Sequence, residues 1–266
     1  MNDKSRPKGL PQLNAPDLHT AVNFVTDRHW GVTDPIKFKA LMTEVLKTVS
    51  PPYFLSDNVF SWVRNNSALE DRPFREAWES NLRGTSDAGI PWRRYILACA
   101  GYHALHLQGD FVECGAYLGS GVKTVIDYLG AEQFAKTFWV YDTFDYNPVA
   151  GRKFAQQQEG LFDKVQERFQ NYPQVKLIRG LLPSSLTEHG RSKISYLHLD
   201  LNSLHGELAV LEVVFDRIVP GGIIVLDDYE WAGSYREQKI GEASWFDHRS
   251  YRVFPLPTGQ GIVIKR

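Results

Sequence analysis

From residue 110 onward the chain alternates short, nearly unbroken apolar runs with longer amphipathic ones. The runs DFVECG (110–115), TFWVYD (137–142), VKLIRG (175–180), ISYLHLD (194–200) and GGIIVLDD (221–228) read as strands. Between them, SGVKTVIDYLG, GLFDKVQERFQN and LHGELAVLEVVFDRIV carry apolar residues at helical spacing. Apolar strands alternating with helices predict an α/β unit with a parallel sheet covered on both faces. YRVFPLP and GIVIKR, around the turn Thr258–Gly259–Gln260–Gly261, predict a closing hairpin.

The first third reads differently. DPIKFKALMTEVLKTV places Ile36, Leu41, Val45 and Val49 at roughly helical intervals, with Pro35 suited to an early helical position and Pro51–Pro52 as the stop. Residues 53–90 give a mixed pattern without a clear period. IPWRRYILACAGYHALHL predicts a helix led by Pro91 and ending near Gly109. The expected organisation is a loose arm over 1–17, a helical region over 18–109 forming a cap or interface, and a core over 110–266.

Composition narrows the classes. The 266 residues are 43% hydrophobic and 23% charged, enough for a substantial core. Thirty basic and 31 acidic side chains leave a formal net charge of -1, which gives no electrostatic case for nucleic acid or an anionic membrane. Two cysteines in apolar context fit a reducing compartment better than a disulfide scaffold. No apolar stretch reaches the ~20 residues needed to span a bilayer, so a cytoplasmic location is expected.

In open α/β sheets ligands bind beyond the carboxyl ends of the strands. Those ends supply Glu113 with Gly115, then Asp142, Gly180, Asp200, and Asp227 with Asp228. The first leads into ECGAYLGSG, whose glycines at 115, 119 and 121 permit tight turning and close ligand approach ahead of a helix N-terminus. The spacing departs from the dinucleotide fingerprint, and a purely structural turn is the alternative. Asp142 is placed to accept both hydroxyls of a ribose, or to cap the following helix. Asp200, Asp227 and Asp228 form an acidic constellation. Hard oxygen ligands without cysteine suit Mg²⁺, Mn²⁺ or Ca²⁺. The competing reading has Asp228 capping a turn and Asp200 paired with an arginine or lysine. His198, between Leu197 and Leu199, reads as a packed strand histidine, and His205 as the better candidate base. Trp231 and Tyr235 follow the carboxylate pair and read as lid residues.

Together GDFVECGAYLGSG, YDTF (141–144), LHLDLN (197–202), VPGGIIVLDDY (219–229) and LPTGQGIVIK (256–265) resemble the macrocin/mycinamicin O-methyltransferase family. These are class I S-adenosylmethionine-dependent enzymes that methylate sugar hydroxyls of macrolide antibiotics. The resemblance implies a Rossmann-like class I methyltransferase fold, with a mostly parallel seven-stranded sheet, helices on both faces and an N-terminal helical extension. It implies that Glu113, Gly115 and Gly119 line the methionine end of S-adenosylmethionine, that Asp142 holds the ribose, and that Gly180 and Leu181 lie near adenine. It makes Asp200, Asp227 and Asp228 the ligands of Mg²⁺ (or Mn²⁺), which would chelate a vicinal diol. Asp200 and His205 are then the expected catalytic residues.

The expected partner is a small hydroxylated acceptor such as a glycoside, in a homo-oligomer, with neither nucleic acid nor membrane involved. Two departures stand out. The family's DxDLY run is DLNSL here, with Asn202 and Ser203, and no histidine occurs from Tyr141 to Lys164, where the macrolide enzymes carry their catalytic one. A non-catalytic binding protein on the same fold is therefore the second expectation. A nicotinamide oxidoreductase is the third, lacking an evident Ser–Tyr–Lys set.

Overall fold

The structure is a computed structural model that describes residues 22–83, 85–144, 159–188 and 192–266. The arm expected over 1–17 and the NPVAGRKFAQQQ stretch lie outside the described residues. The N-terminal part contains β1 (Phe24–Val25), α1 (Pro35–Leu46), β2 (Tyr53–Ser56), β3 (Val59–Trp62), α2 (Ser67–Glu70), α3 (Arg72–Asn81), α4 (Thr85–Ala88) and α5 (Pro91–Ala104). The remainder contains β4 (Asp110–Cys114), α6 (Ser120–Leu129), β5 (Phe138–Asp142), α7 (Leu161–Phe169), β6 (Val175–Arg179), α8 (Ser184–Glu188), β7 (Ile194–Leu199), α9 (Leu204–Val214), β8 (Ile218–Leu226), α10 (Arg236–Asp247), β9 (Phe254–Pro255) and β10 (Gly261–Ile264).

The main sheet has seven strands in the order β6-β5-β4-β7-β8-β10-β9. Strands β4 to β8 pair in parallel, and β10 runs antiparallel to both β8 and β9. This is a Rossmann-like class I methyltransferase fold, with the predicted closing hairpin at its edge. The central strands are apolar because both faces are covered. One core contains Phe111, Phe138 and Tyr196, packed with α5 and α6 residues such as Leu97 and Val125; the other gathers Leu197, Ile224, Val210 and Phe246. Removing each of these larger side chains from water contributes about 2–3 kcal/mol.

Two findings depart from the sequence expectation for the first third. It is not wholly helical: β1, β2 and β3 form a separate small sheet, with β1 parallel to β2 and β2 antiparallel to β3. And α1, although it forms where its spacing and Pro35 predict and is capped by Asp34, buries none of its residues, leaving Ile36 85% exposed. Apolar spacing decides that a helix is amphipathic; it does not supply the surface that covers it.

Helix α5 belongs to the core. It packs on α6 and reaches both β7 and β8. Its cap is supplied from a distance. Ile90 at the N-cap position has no side chain to offer, and the amides of Trp92 and Arg93 donate instead to the Asp57 carboxylate, at 3.1 and 3.0 Å. Asp57 and Asn58 are the two positive-φ residues between the paired Ser56 and Val59, the geometry of a primed two-residue hairpin turn. Burial pushes the Asp57 carboxyl up to about 7, against the pull of those two amides. The hairpin is thus the brace of α5. Asp57→Ala should lower stability by about 2 kcal/mol, combining a lost cap with alanine in a left-handed turn, and Asp57→Asn by less. Urea unfolding midpoints of the two variants check this.

Candidate functional site

The carboxyl ends of β4, β5, β7 and β8 bring together nearly all the residues singled out from the sequence. Gly115 follows β4 with φ +90°, and its backbone passes so close to the next loop that an added Cβ would lie 1.9 Å from the Asp200 carbonyl oxygen. Gly119, with φ +70°, faces the ring of Phe169, which a Cβ would meet at 2.6 Å. The turn they bound ends at α6, a ten-residue helix whose N-cap is Gly119 and so leaves its first amides without a side-chain cap. Asp142 closes this turn from the neighbouring strand. One of its carboxylate oxygens accepts from the amides of Ala116 (2.7 Å) and Tyr117 (2.8 Å), the other from Phe144 (2.6 Å). A carboxylate has about four acceptor sites, so Asp142 shapes the turn and keeps little capacity in reserve. Gly180 donates its amide to the Asp142 carbonyl at 3.0 Å, placing Gly180 and Leu181 beside the same strand end.

A second set of groups lies on β4, β7 and β8, under the acidic constellation. Glu113 and His198 are register partners across β4 and β7, and both are buried. His198 Nδ1 is 3.2 Å from the Glu113 carboxylate and Nε2 is 3.3 Å from that of Asp227. Burial would lower the His198 pKa, but Glu113 and then Asp227 raise it to about 10, so the ring is a cation at neutral pH. Both ring nitrogens thus face carboxylates carried by the two neighbouring strands.

Asp227 also receives Gln260 Nε2 at 2.8 Å. Its other oxygen pairs with Arg93 Nη2, which further donates to the Asp227 carbonyl at 2.8 Å and to Asp228 Oδ1 at 3.1 Å. Burial opposes ionisation of Asp227, but Arg93 and His198 hold it well below the usual carboxylate range. Glu113, His198, Asp227 and Arg93 therefore form a buried chain of alternating charge. For Asp228 burial and the Asp227 charge outweigh Arg93, and its pKa is raised.

Asp200 stands at the open end of this chain, half-buried. Burial, then the charges of Asp227 and Asp228, raise its pKa well above the carboxylate range. Asn202 Nδ2 donates to Asp200 at 3.2 Å, and Asn202 Oδ1 accepts from the Tyr235 hydroxyl. Behind the loop, buried Glu207 accepts the Leu201 amide at 3.1 Å and fixes its path. His205 lies exposed in the first turn of α9, and no bond ties it to the acids. Trp231 packs edge-on to Trp30, with the Arg93 guanidinium 5.7 Å from its ring.

The expected metal centre needs correction. Among the described residues, no group of three or more His, Cys, Asp or Glu is arranged to hold a metal ion. Asp227 and Asp228 face a guanidinium, and Asp227 has both oxygens engaged by protein donors. The residues present do not fit a divalent cation shared by Asp200, Asp227 and Asp228. Arg93 was the residue missed. Its signal was in the sequence: Arg93, Leu97, Ala100 and Ala104 follow one another at helical spacing, and a charge within an otherwise buried stripe requires a buried partner.

A family model for the macrocin O-methyltransferase (TylF) matches residues 98–240, over half of the chain. The chain belongs to the macrocin O-methyltransferase family. A relative from Streptomyces olivaceus, an 8-demethyl-8-(2,3-dimethoxy-α-L-rhamnosyl)-tetracenomycin-C 4'-O-methyltransferase, is 25% identical over 140 residues, covering 46% of this chain and 54% of its own. The chain thus spans about half the length of this curated relative. Among solved structures, the O-methyltransferase NovP superposes with a TM-score of 0.52 at 17% identity, over 65% of this chain and 79% of that one. The calicheamicin methyltransferase CalS11 gives 0.53 at 15% identity, over 76% and 94%. At such identities they establish the fold that this family member shares. No helix among the described residues is long and apolar enough to cross a membrane, and Cys99 and Cys114 are both unpaired.

Proposed function

We propose that this member of the macrocin O-methyltransferase family transfers a methyl group from S-adenosylmethionine to a hydroxyl of a sugar- or polyol-like natural product. The observation that carries the reading is the contact of Gly115 with Asp200, which sets the glycine turn directly against the loop bearing a half-buried acid. The turn fits the cofactor. It presents backbone, with the uncapped amides of α6 ready for a carboxylate, and Asp142, Gly180 and Leu181 border the next strand end. Glu113 sits beneath it, committed to His198.

S-adenosylmethionine, when bound, would supply an electrophilic sulfonium methyl, which bonds to an acceptor oxygen as its carbon–sulfur bond breaks and S-adenosylhomocysteine leaves. The chain's own part is to orient that oxygen and receive its proton. Asp200 is placed to accept it, and Asn202 holds the Asp200 carboxylate at a fixed angle through its bond to Tyr235. His205, exposed and one turn along, is the second candidate acceptor. The names of the relatives support the substrate class: one is a 4'-O-methyltransferase of a rhamnosyl-tetracenomycin and CalS11 is named a TDP-rhamnose 3'-O-methyltransferase, both directed at a sugar hydroxyl.

Calorimetric binding of S-adenosylmethionine, followed by a mass-spectrometric screen of glycosides for methyl gain, tests the proposal. Absence of cofactor binding would overturn it. Binding without turnover of any hydroxylated acceptor would favour the accessory reading. With an accepted substrate in hand, Asp200→Asn should reduce kcat by about 10²–10⁴-fold while cofactor affinity stays within a factor of about two. Single-turnover rates beside binding isotherms separate the two effects. His205→Gln should leave kcat nearly intact if Asp200 alone takes the proton.

A further inference from the structure

We propose that Arg93 is a built-in cation occupying the place a divalent ion would need, so that this site neither requires nor binds Mg²⁺ or Mn²⁺. Three features converge on this. The guanidinium is buried, with 9% of the side chain exposed, and one nitrogen reaches both Asp227 and Asp228. Asp227 has no spare oxygen, since Gln260 and His198 hold Oδ1 and Arg93 holds Oδ2. And the backbone that carries Arg93 is held from outside, by the Asp57 carboxylate on the amides of Trp92 and Arg93, with the guanidinium carbon 5.7 Å from the centre of the Trp231 ring.

An entering divalent ion would have to displace a charge-assisted pair in a poorly solvated setting, and it would stand against the positive charge already there. Like charges at contact distance in such surroundings repel by several kcal/mol. The two cations are alternatives for the same carboxylates.

The consequence for the acceptor rests on the methyl-transfer reading above. Without an ion, a vicinal diol is not chelated. A single hydroxyl, oriented by Asp200, Asn202 and Tyr235, suffices. The substrate class widens accordingly to acceptors that lack a neighbouring hydroxyl.

The cation claim itself is tested without cofactor or acceptor. Mn²⁺ chloride is titrated into the full chain, and the free-ion signal is followed by electron paramagnetic resonance. Wild type should leave the signal unchanged at millimolar ion. Arg93→Met should remove one ion per chain, and adding Asp228→Asn to that variant should restore the free signal. Circular dichroism confirms that the variants are folded. The proposal is overturned if wild type takes up one ion per chain and Asp228→Asn abolishes that uptake. It is equally overturned if folded Arg93→Met takes up none, because the carboxylates would then form no cation site for Arg93 to fill. The wild-type arm, with Asp228→Asn as its only variant, decides the matter even if Arg93→Met does not fold. Failure of the methyl-transfer reading shows separately, as absent S-adenosylmethionine binding.

Discussion

Gly115→Ala is expected to destabilise the protein by on the order of 4 kcal/mol or more, enough to consume much of the stability of an ordinary domain. Two independent costs combine. At φ +90° an L side chain is strained by about 1–2 kcal/mol wherever it sits. Here the added carbon would also meet the Asp200 carbonyl oxygen at 1.9 Å, and both partners are backbone, so neither can swing aside as a flexible side chain would. Gly233→Ala is the internal control. It shares the left-handed conformation at φ +68° but has nothing within 4 Å, and should lose only the first cost. Urea unfolding of the two variants gives the comparison. Equal losses would mean that the crossing of the two loops is not tight.

The second large effect concerns the buried charge chain. His198→Gln should cost about 3–5 kcal/mol at neutral pH, because it leaves Glu113 and Asp227 facing each other across β4, β7 and β8 without their shared cation. The wild-type protein should show the same group through pH. The folded pKa is raised to about 10, from about 6.5 in the unfolded chain. The stabilisation is therefore fully present below about pH 6.5 and is lost as pH rises through 10. Over that window the slope is about 1.4 kcal/mol per pH unit. Other groups add their own slopes. Asp57, raised to about 7, is half titrated at neutrality, the raised carboxyls of Asp200, Glu207, Asp228 and Glu242 add declines of the same sign, and the Cys99 thiol, pushed up to about 11, contributes only above its unfolded value near 8.5. From about pH 8 to about pH 8.5 His198 should carry its own share of the decline, and His198→Gln should make the slope shallower by about 1.4 kcal/mol per pH unit. Denaturant titrations at intervals across that range check the slope. An unchanged slope in the variant would remove His198 as the cation.

What was legible in the sequence follows from how locally each feature is specified. Strands β4 to β8 were legible because strands buried on both faces must be apolar along their whole length, and their ends were marked by glycine or aspartate. Gly115, Asp142, Asp200 and the Asp227–Asp228 pair were legible for the same reason, since the ends of parallel strands gather on one edge. The small N-terminal sheet was not. Phe24 and Val25 pair with Phe54 and Leu55, some thirty positions away, and nothing in a two-residue strand announces its partner. Helix α10 went unassigned because its buried positions include Gln238 and Glu242, which mask the apolar stripe. The charge balance of the site was illegible for a different reason. Three acids at strand ends demand a cation, but whether it is an ion or a side chain depends on which helix face lies above them. Arg93 stands 134 positions before Asp227, and only the packing of α5 on β7 and β8 brings the two together.

The hairpin tip at Asp57 has a bearing on how such chains can be cut and recombined. A shuffling experiment guided by the α/β pattern would place its crossover at Gly109, treating all before it as interchangeable. Yet the hairpin, the segment at Gly89 that accepts the Ser56 hydroxyl and the Asp57 amide, and the first turn of α5 form one assembly that delivers Arg93 to acids at the far end of the chain. A core transplanted from Asp110 onward would arrive with its acids and without their counter-charge. The heritable unit begins at Tyr53, and a chimera joined upstream of that residue carries the site whole.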